Sequence, residues 1–428
     1  MPVRGATTRW VVATGLDAVS DFGAELGRMH RARGLSLHGL ARLSHYDVGY
    51  LSRVVNGYKR GSRDLALDMD RHLKAEGALL AVWEKSARPP VPVMPLASPA
   101  PDADLHDRIT RAVADPQRAD TPIVDWLERV LDEHRRVNDS VGARPLLAPV
   151  HSQLLVVTEF TRSAQGALCG RLVDLAAQYA QFMAWLCVEN RDHGAAIAWY
   201  NRAREWAEDA GNPNMAATTL SMRAHLAWSL GQPQRCVRMA QAARWYDRST
   251  TPGMQGMAAQ MEARGYALAK EADLAHRLLD QAEVLIRRAA ERPAYEPPWM
   301  YFYDENWFRL QRGMAELHLG NWPIAVELLS SGLTALPESY RRDRAWYGAC
   351  LARAHAGAGD AEQSEHIAIS YAPDIAAINS YARGDLLGTA RILANIGAPK
   401  AARVIREALT DQTIRAPHSR SGNDEIPD

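Results

Sequence analysis

Residues 37–56 read LHGLARLSHYDVGYLSRVVN. Two short helical segments flank the turn Ser44-His45-Tyr46. Ala41 is small, as needed where two helices approach closely, and Leu51 and Val54 lie three apart on one helical face. Ser52 and Arg53 point the other way. Upstream, Phe22, Leu26 and Met29 are spaced for one face of a preceding helix, Gly34 supplies its stop, and Ser36 suits the next N-cap. Asp47 can cap the second helix of the pair, which ends near Asn56-Gly57, where glycine suits a left-handed C-cap. Ser62 opens a fourth helix with Leu65, Met69 and Leu73 inside, and Leu79, Leu80 and Trp83 close a fifth.

Two helices joined in this way form a helix-turn-helix pattern, whose second helix enters the DNA major groove. The five helices in this order resemble the lambda-repressor-like (XRE family) DNA-binding domain over residues 21–85, most closely in LARLSHYDVGYLSRVVNG. Two positions depart from the family. His45 stands where the turn usually has glycine, and a histidine reaches positive φ less readily. Leu37 replaces a glutamine common at the start of the second helix, which removes one expected phosphate contact.

The resemblance implies that Asp47, Val48, Gly49, Ser52 and Arg53 reach base edges. Arg53 is the strongest candidate, since guanidinium bonds guanine bidentately, for about 1–3 kcal/mol of discrimination. Asp47 either accepts from a cytosine amino group or serves only as the N-cap. Gly49 permits close backbone approach. Asn56, Lys59, Arg60 and Arg63 follow and suit phosphate contacts. Over the whole chain, 50 basic residues balance 50 acidic ones, so any nucleic-acid footprint must be local. Residues 21–85 carry eleven basic and eight acidic side chains, a surplus of three.

Residues 86–104, SARPPVPVMPLASPAPDAD, hold six prolines and read as a semi-rigid spacer between domains. Beyond it the pattern is helical and repeats. Small residues twelve apart recur as Ala184/Ala196, Ala224/Cys236, Ala263/Ala275, Gly313/Ala325 and Ala352/Ser364, with unit spacings of 40, 39, 50 and 39 residues. Another small residue follows seven positions on at Ala203, Ala243, Ala282 and Gly332, and turns such as LGQPQ, LGNWP and AGAGD separate the members of a pair. This is the pattern of helical hairpins touching at small side chains and stacked in a row. It resembles the tetratricopeptide repeat, best in GMAELHLGNWPIAVELLSSGLTALP at 313–337, although the units exceed the usual length; a generic α-solenoid is the alternative. TPIVDWLERVLDEHRRV and PLLAPVHSQLLVVTEFTRSA read as two amphipathic helices before the repeats, and residues 375–409 as a last hairpin and cap.

The expected organisation is therefore all-α: an arm at 1–20, a five-helix DNA-binding domain at 21–85, a linker at 86–105, a helical repeat domain at 106–410 and a disordered tail at 411–428. Counting out from the small residues, the inward positions include Gln181, Trp185, Ser221, His225, Trp228, Gln260, Arg264, Trp307, Trp346 and Arg353. Amides and arginines there suit a peptide backbone or carboxylate, and tryptophans make apolar clefts. WMYFYDENWF at 299–308 is unusually aromatic and suits a lid or dimer contact.

Cys169, Cys187, Cys236 and Cys350 are scattered, without the spacing of a zinc site or disulfide framework. No HExxH, GxSxG, phosphate-loop or kinase signature occurs, so neither an enzyme nor a cofactor or metal is expected. No stretch reaches the roughly 20 apolar residues of a membrane helix, and WVVATGL at 10–16 is too short for a signal core, so a cytoplasmic protein is expected. Only five of the 50 basic residues are lysine, a usage typical of high-GC bacterial genomes.

The combined architecture resembles actinobacterial transcriptional regulators and, in outline, the peptide-pheromone receptors of Gram-positive bacteria. That resemblance implies a homodimer on a double-stranded operator, whose repeats sense a peptide, small molecule or partner protein. The asparagine series that holds peptide backbones in the receptors does not occur here. The alternative is an interaction scaffold or anti-activator with a secondary DNA-binding domain.

Overall fold

The computed structural model describes residues 16–55, 61–87, 101–379 and 382–414; they are helical throughout, with no strand among them. Helices α1 (Leu16–Ala32), α2 (Leu37–Ser44), α3 (Val48–Val55), α4 (Arg63–His72) and α5 (Ala78–Ala87) form the N-terminal unit. Its core is Phe22, Leu26, Leu40, Leu51, Val54, Leu65, Met69, Leu73 and Leu79, with Ala41 and Leu37 packed at its margin. Ser36 and Ser62 cap α2 and α4 through hydrogen bonds accepted from Gly39 N and Leu65 N, both 3.1 Å. The Asp70 carboxylate accepts from the backbone N–H groups of Gly77, Leu79 and Leu80 and so holds the start of α5. Helix α1 already begins at Leu16, inside the segment read as an arm; residues 1–15 lie outside the described residues.

Helix α1 crosses α3 with almost no clearance. A Cβ on Gly23 would lie 2.1 Å from Val54 O, so only glycine fits the crossing.

The second unit starts with α6 (Ala103–Ala114), α7 (Thr121–Val141) and α8 (Leu147–Ser163). Five hairpins follow: α9 (Gly166–Glu189) with α10 (His193–Asp209), α11 (Pro213–Ser229) with α12 (Pro233–Arg244), α13 (Pro252–Leu268) with α14 (Ala272–Glu291), α15 (Glu305–Leu319) with α16 (Trp322–Ala335), and α17 (Arg341–Gly357) with α18 (Ala361–Ile378). Helices α19 (Ala382–Asn395) and α20 (Pro399–Ile414) pack on α17 and α18 as a final pair. Helix α20 runs to Ile414, into the segment read as a tail from 411; residues 415–428 lie outside the described residues.

Each small-residue pair spans the two helices of one hairpin, and all ten residues are buried. Seven positions after its first member comes the turn residue, Arg191, Gly231, Lys270, Gly320 or Gly359, and every one has positive φ, from 62° to 92°. The three glycines reach that conformation without a Cβ clash, whereas the arginine and lysine are strained by it.

The row of hairpins does not end open. Helix α7 packs against α17 and against the 298–300 turn, so the array curls back on its own start. Ser140 Oγ donates to Ser339 O at 2.7 Å, and Tyr301 Oη donates to Asp139 Oδ2 at 2.6 Å. The aromatic 299–308 stretch lies inside this ring, with Trp299 Nε1 donating to Thr218 Oγ1 at 3.0 Å.

Candidate nucleic-acid interface and ligand cavity

Between α2 and α3, His45 has φ 58° and ψ 17°, so histidine occupies the left-handed position expected of glycine. Tyr46 then donates to Asp68 of α4 at 3.0 Å and stacks on Tyr50, tying the turn to the domain. Asp47 Oδ1 accepts from Tyr50 N at 2.8 Å, which is the N-cap geometry for α3. With Leu51 and Val54 buried, the opposite face presents exposed Arg53 beside half-buried Val48, Gly49 and Ser52. A Cβ on Gly49 would meet Asp47 Oδ1 at 3.1 Å, so the absent side chain leaves room for the capping carboxylate. Arg63 is exposed at the start of α4. Asn56, Lys59 and Arg60 lie outside the described residues.

The second feature is a cavity of about 130 Å³ at the centre of the ring. Its wall comes from the first helix of each hairpin, from α7 and from residues 299–302 between α14 and α15. Of the inward positions read from the sequence, Gln181, Trp185, Ser221, His225, Gln260, Arg264, Trp307 and Trp346 line it. Trp228 sits just behind, with the Arg264 guanidinium 3.7 Å over its ring. Arg353 turns away, 3.8 Å from Asp385 on α19. His225 is packed among Trp185, Trp228 and Trp346 at ring distances of 5.5, 5.7 and 5.9 Å, and burial pushes its pKa far below the usual range. It is a neutral imidazole at physiological pH.

The sequence reading missed Arg135, Asn138 and Asp139 on α7 and Arg342 and Asp343 on α17. Arg342 Nη2 lies 2.9 Å from Asp139 Oδ1 and 2.8 Å from Asp343 Oδ1, and its Nε is 3.4 Å from Glu189 Oε1. Asn138 accepts from Arg342 and from Trp185 Nε1 and donates to Glu189 at 2.8 Å. One guanidinium thus faces three carboxylates. Burial outweighs it for two of them, lifting Asp139 to about 6 and Glu189 to about 7. A signal existed for α7, where Arg135, Asn138 and Asp139 put three polar groups among the buried positions of an amphipathic helix. Nothing local linked that face to Arg342.

Among the described residues no group of His, Cys, Asp and Glu could hold a metal ion, and no helix is long and apolar enough to cross a membrane. Burial pushes the Cys187 and Cys236 thiols up to about 12, so neither is a nucleophile at neutral pH.

Comparison with known families matches residues 21–83 to the family described as "Helix-turn-helix domain". The match supports DNA binding and a role in transcription regulation for the N-terminal unit. Comparison with curated proteins gave no match.

Proposed function

We propose that this chain is a sequence-specific transcriptional regulator. In this reading α3 reads an operator and the closed helical ring responds to a ligand. The observation that carries it is the pairing of an exposed Arg53 on a capped, buried-backed α3 with a cavity lined by polar and aromatic side chains in the same chain. Arg53 reads a base edge, while Ser52, Val48 and Gly49 fit the helix into the groove and Arg63 contacts phosphate. Asn56, Lys59 and Arg60 belong to the same phosphate-facing group. Asp47 acts through its cap.

The domain's small basic surplus favours binding as a homodimer, with two copies on a pseudo-palindromic site. The repeat array, read as tetratricopeptide-like, mediates pairing and sensing. Ligand preferring one curvature of the ring shifts the population between forms with different spacing of the two DNA-binding units. The small volume of the cavity, about 130 Å³, favours a small molecule over an extended peptide.

The test is the salt dependence of DNA binding by the full chain. A regulator gives a linear fall of log affinity with log salt and a protected footprint of defined sequence. Shallow, footprint-free binding favours the scaffold reading instead.

A further inference from the structure

Gln181 lies on α9 one turn before Trp185, more than nine-tenths buried, in the wall of the central cavity. No hydrogen bond among the described residues engages its amide.

Most other polar groups of the wall are committed to one another, the buried Ser221 Oγ and Gln260 Oε1 being exceptions. Arg264 has only donors, and its Nη1 donates to Gln311 Oε1 at 2.9 Å. That fixes Gln311: its Nε2 donates to the Tyr347 hydroxyl, and the same Oε1 accepts from Gln260 Nε2 at 3.1 Å. Arg135 is held by Asp132 and Gln178 at 2.8 and 3.3 Å. Arg342 is held by Asp139 and Asp343. Neither sign of charge dominates, and the Gln181 amide offers a donor and an acceptor to the cavity beside the unpartnered Ser221 Oγ and Gln260 Oε1.

Size narrows the occupant further. The cavity measures about 130 Å³, and an apolar cavity of roughly 150 Å³ takes one benzene. Phe182, Trp185, Met222, Trp307 and Trp346 supply flat and adaptable apolar walls.

We infer that the cavity takes an uncharged single-ring compound with a carboxamide or lactam edge, whose N–H and C=O pair with the amide of Gln181. The inference rests on the reading that the ring is the ligand-binding part of the protein. Titrating the full-length protein with benzamide, toluene and benzoate, read by tryptophan fluorescence without DNA, tests it. Benzamide should saturate the signal and bind at least ~10-fold more tightly than toluene or benzoate, as expected where a site is built to hydrogen-bond its ligand.

Gln181→Leu should erase the preference over toluene at an unchanged melting temperature. If that variant does not fold, the preference of the wild-type protein alone decides. Benzoate binding more tightly than benzamide, toluene binding equally, or no saturable signal from any probe overturns the inference. Benzamide binding that leaves DNA affinity unchanged upholds the ligand chemistry and removes the regulatory reading, so the two fail separately.

Discussion

Arg342 Nη2 on α17 stands 2.9 Å from Asp139 Oδ1 on α7, and this contact joins the last regular hairpin to a helix ahead of the first. Both side chains are almost fully buried, at 11% and 8% exposure, so water screens the pair little. The contact matters less as a source of net stability than as a fixed closure. Replacing a buried pair by apolar groups can be neutral, whereas removing one partner leaves the others uncompensated.

Arg342→Met should therefore lower the stability of the repeat unit by about 3–5 kcal/mol, because Asp139, Asp343 and Glu189 lose their common counter-ion. Chemical denaturation checks the loss, and small-angle scattering should show the ring opening. A variant as stable and compact as the wild type would mean that packing of α7 on α17 closes the ring without the ion pair.

Glu189 gives a pH-dependent counterpart. Its pKa in the folded chain is about 7, raised from 4.5 by burial. A raised carboxyl contributes stability that is complete below its unfolded pKa and lost as pH rises through the folded value. Glu189→Gln does not ionise, so its melting temperature should gain on wild type between pH 6 and 8, by the equivalent of about 1 kcal/mol. Histidines lowered by burial, such as His134 at about 4, act in the opposite direction below their unfolded pKa of 6.5. They are common to both proteins and cancel in the difference. A constant difference across that range would place Glu189 in an ordinary solvated state.

Gly23→Ala should unfold the DNA-binding unit while sparing the repeats. The new Cβ meets Val54 O at 2.1 Å, and both atoms belong to helices that cannot separate without exposing Leu51 and Phe22. Overpacking of this kind costs about 1–3 kcal/mol or more. Two calorimetric transitions, with only one displaced, would show it.

Gly231→Ala tests the turn between α11 and α12. No atom lies within 4 Å of the added Cβ, so the whole effect is the φ of 68°. A loss of about 1–2 kcal/mol is expected. An unchanged melt would mean that the turn relaxes to another conformation.

Much of this fold was legible because its signals are local. Capping serines, the Leu51/Val54 pair and small residues twelve apart each report contacts within one hairpin. Counting from those small residues placed Gln181, Trp185 and Gln260 on the inner face, where they line the cavity. Long-range closure leaves no such periodic mark. Asn138 and Arg342 are 204 positions apart, and α7 reads as one more amphipathic helix until its partner is known. The count also misjudged depth, since Trp228 lies behind Arg264 and Arg353 turns to the final helix pair. The aromatic stretch read as a lid or dimer contact contributes Trp299–Phe302 and Trp307 to the cavity wall, and Trp299 reaches Thr218.

The central claim is that α3 reads DNA through Arg53. Duplexes selected from a randomised library by the full-length protein should yield one defined site, footprinted by the wild type. Arg53→Ala should lose about 1–3 kcal/mol of discrimination for that site over unrelated DNA, with an unchanged circular dichroism spectrum. An unaltered footprint and affinity for the variant would contradict the account.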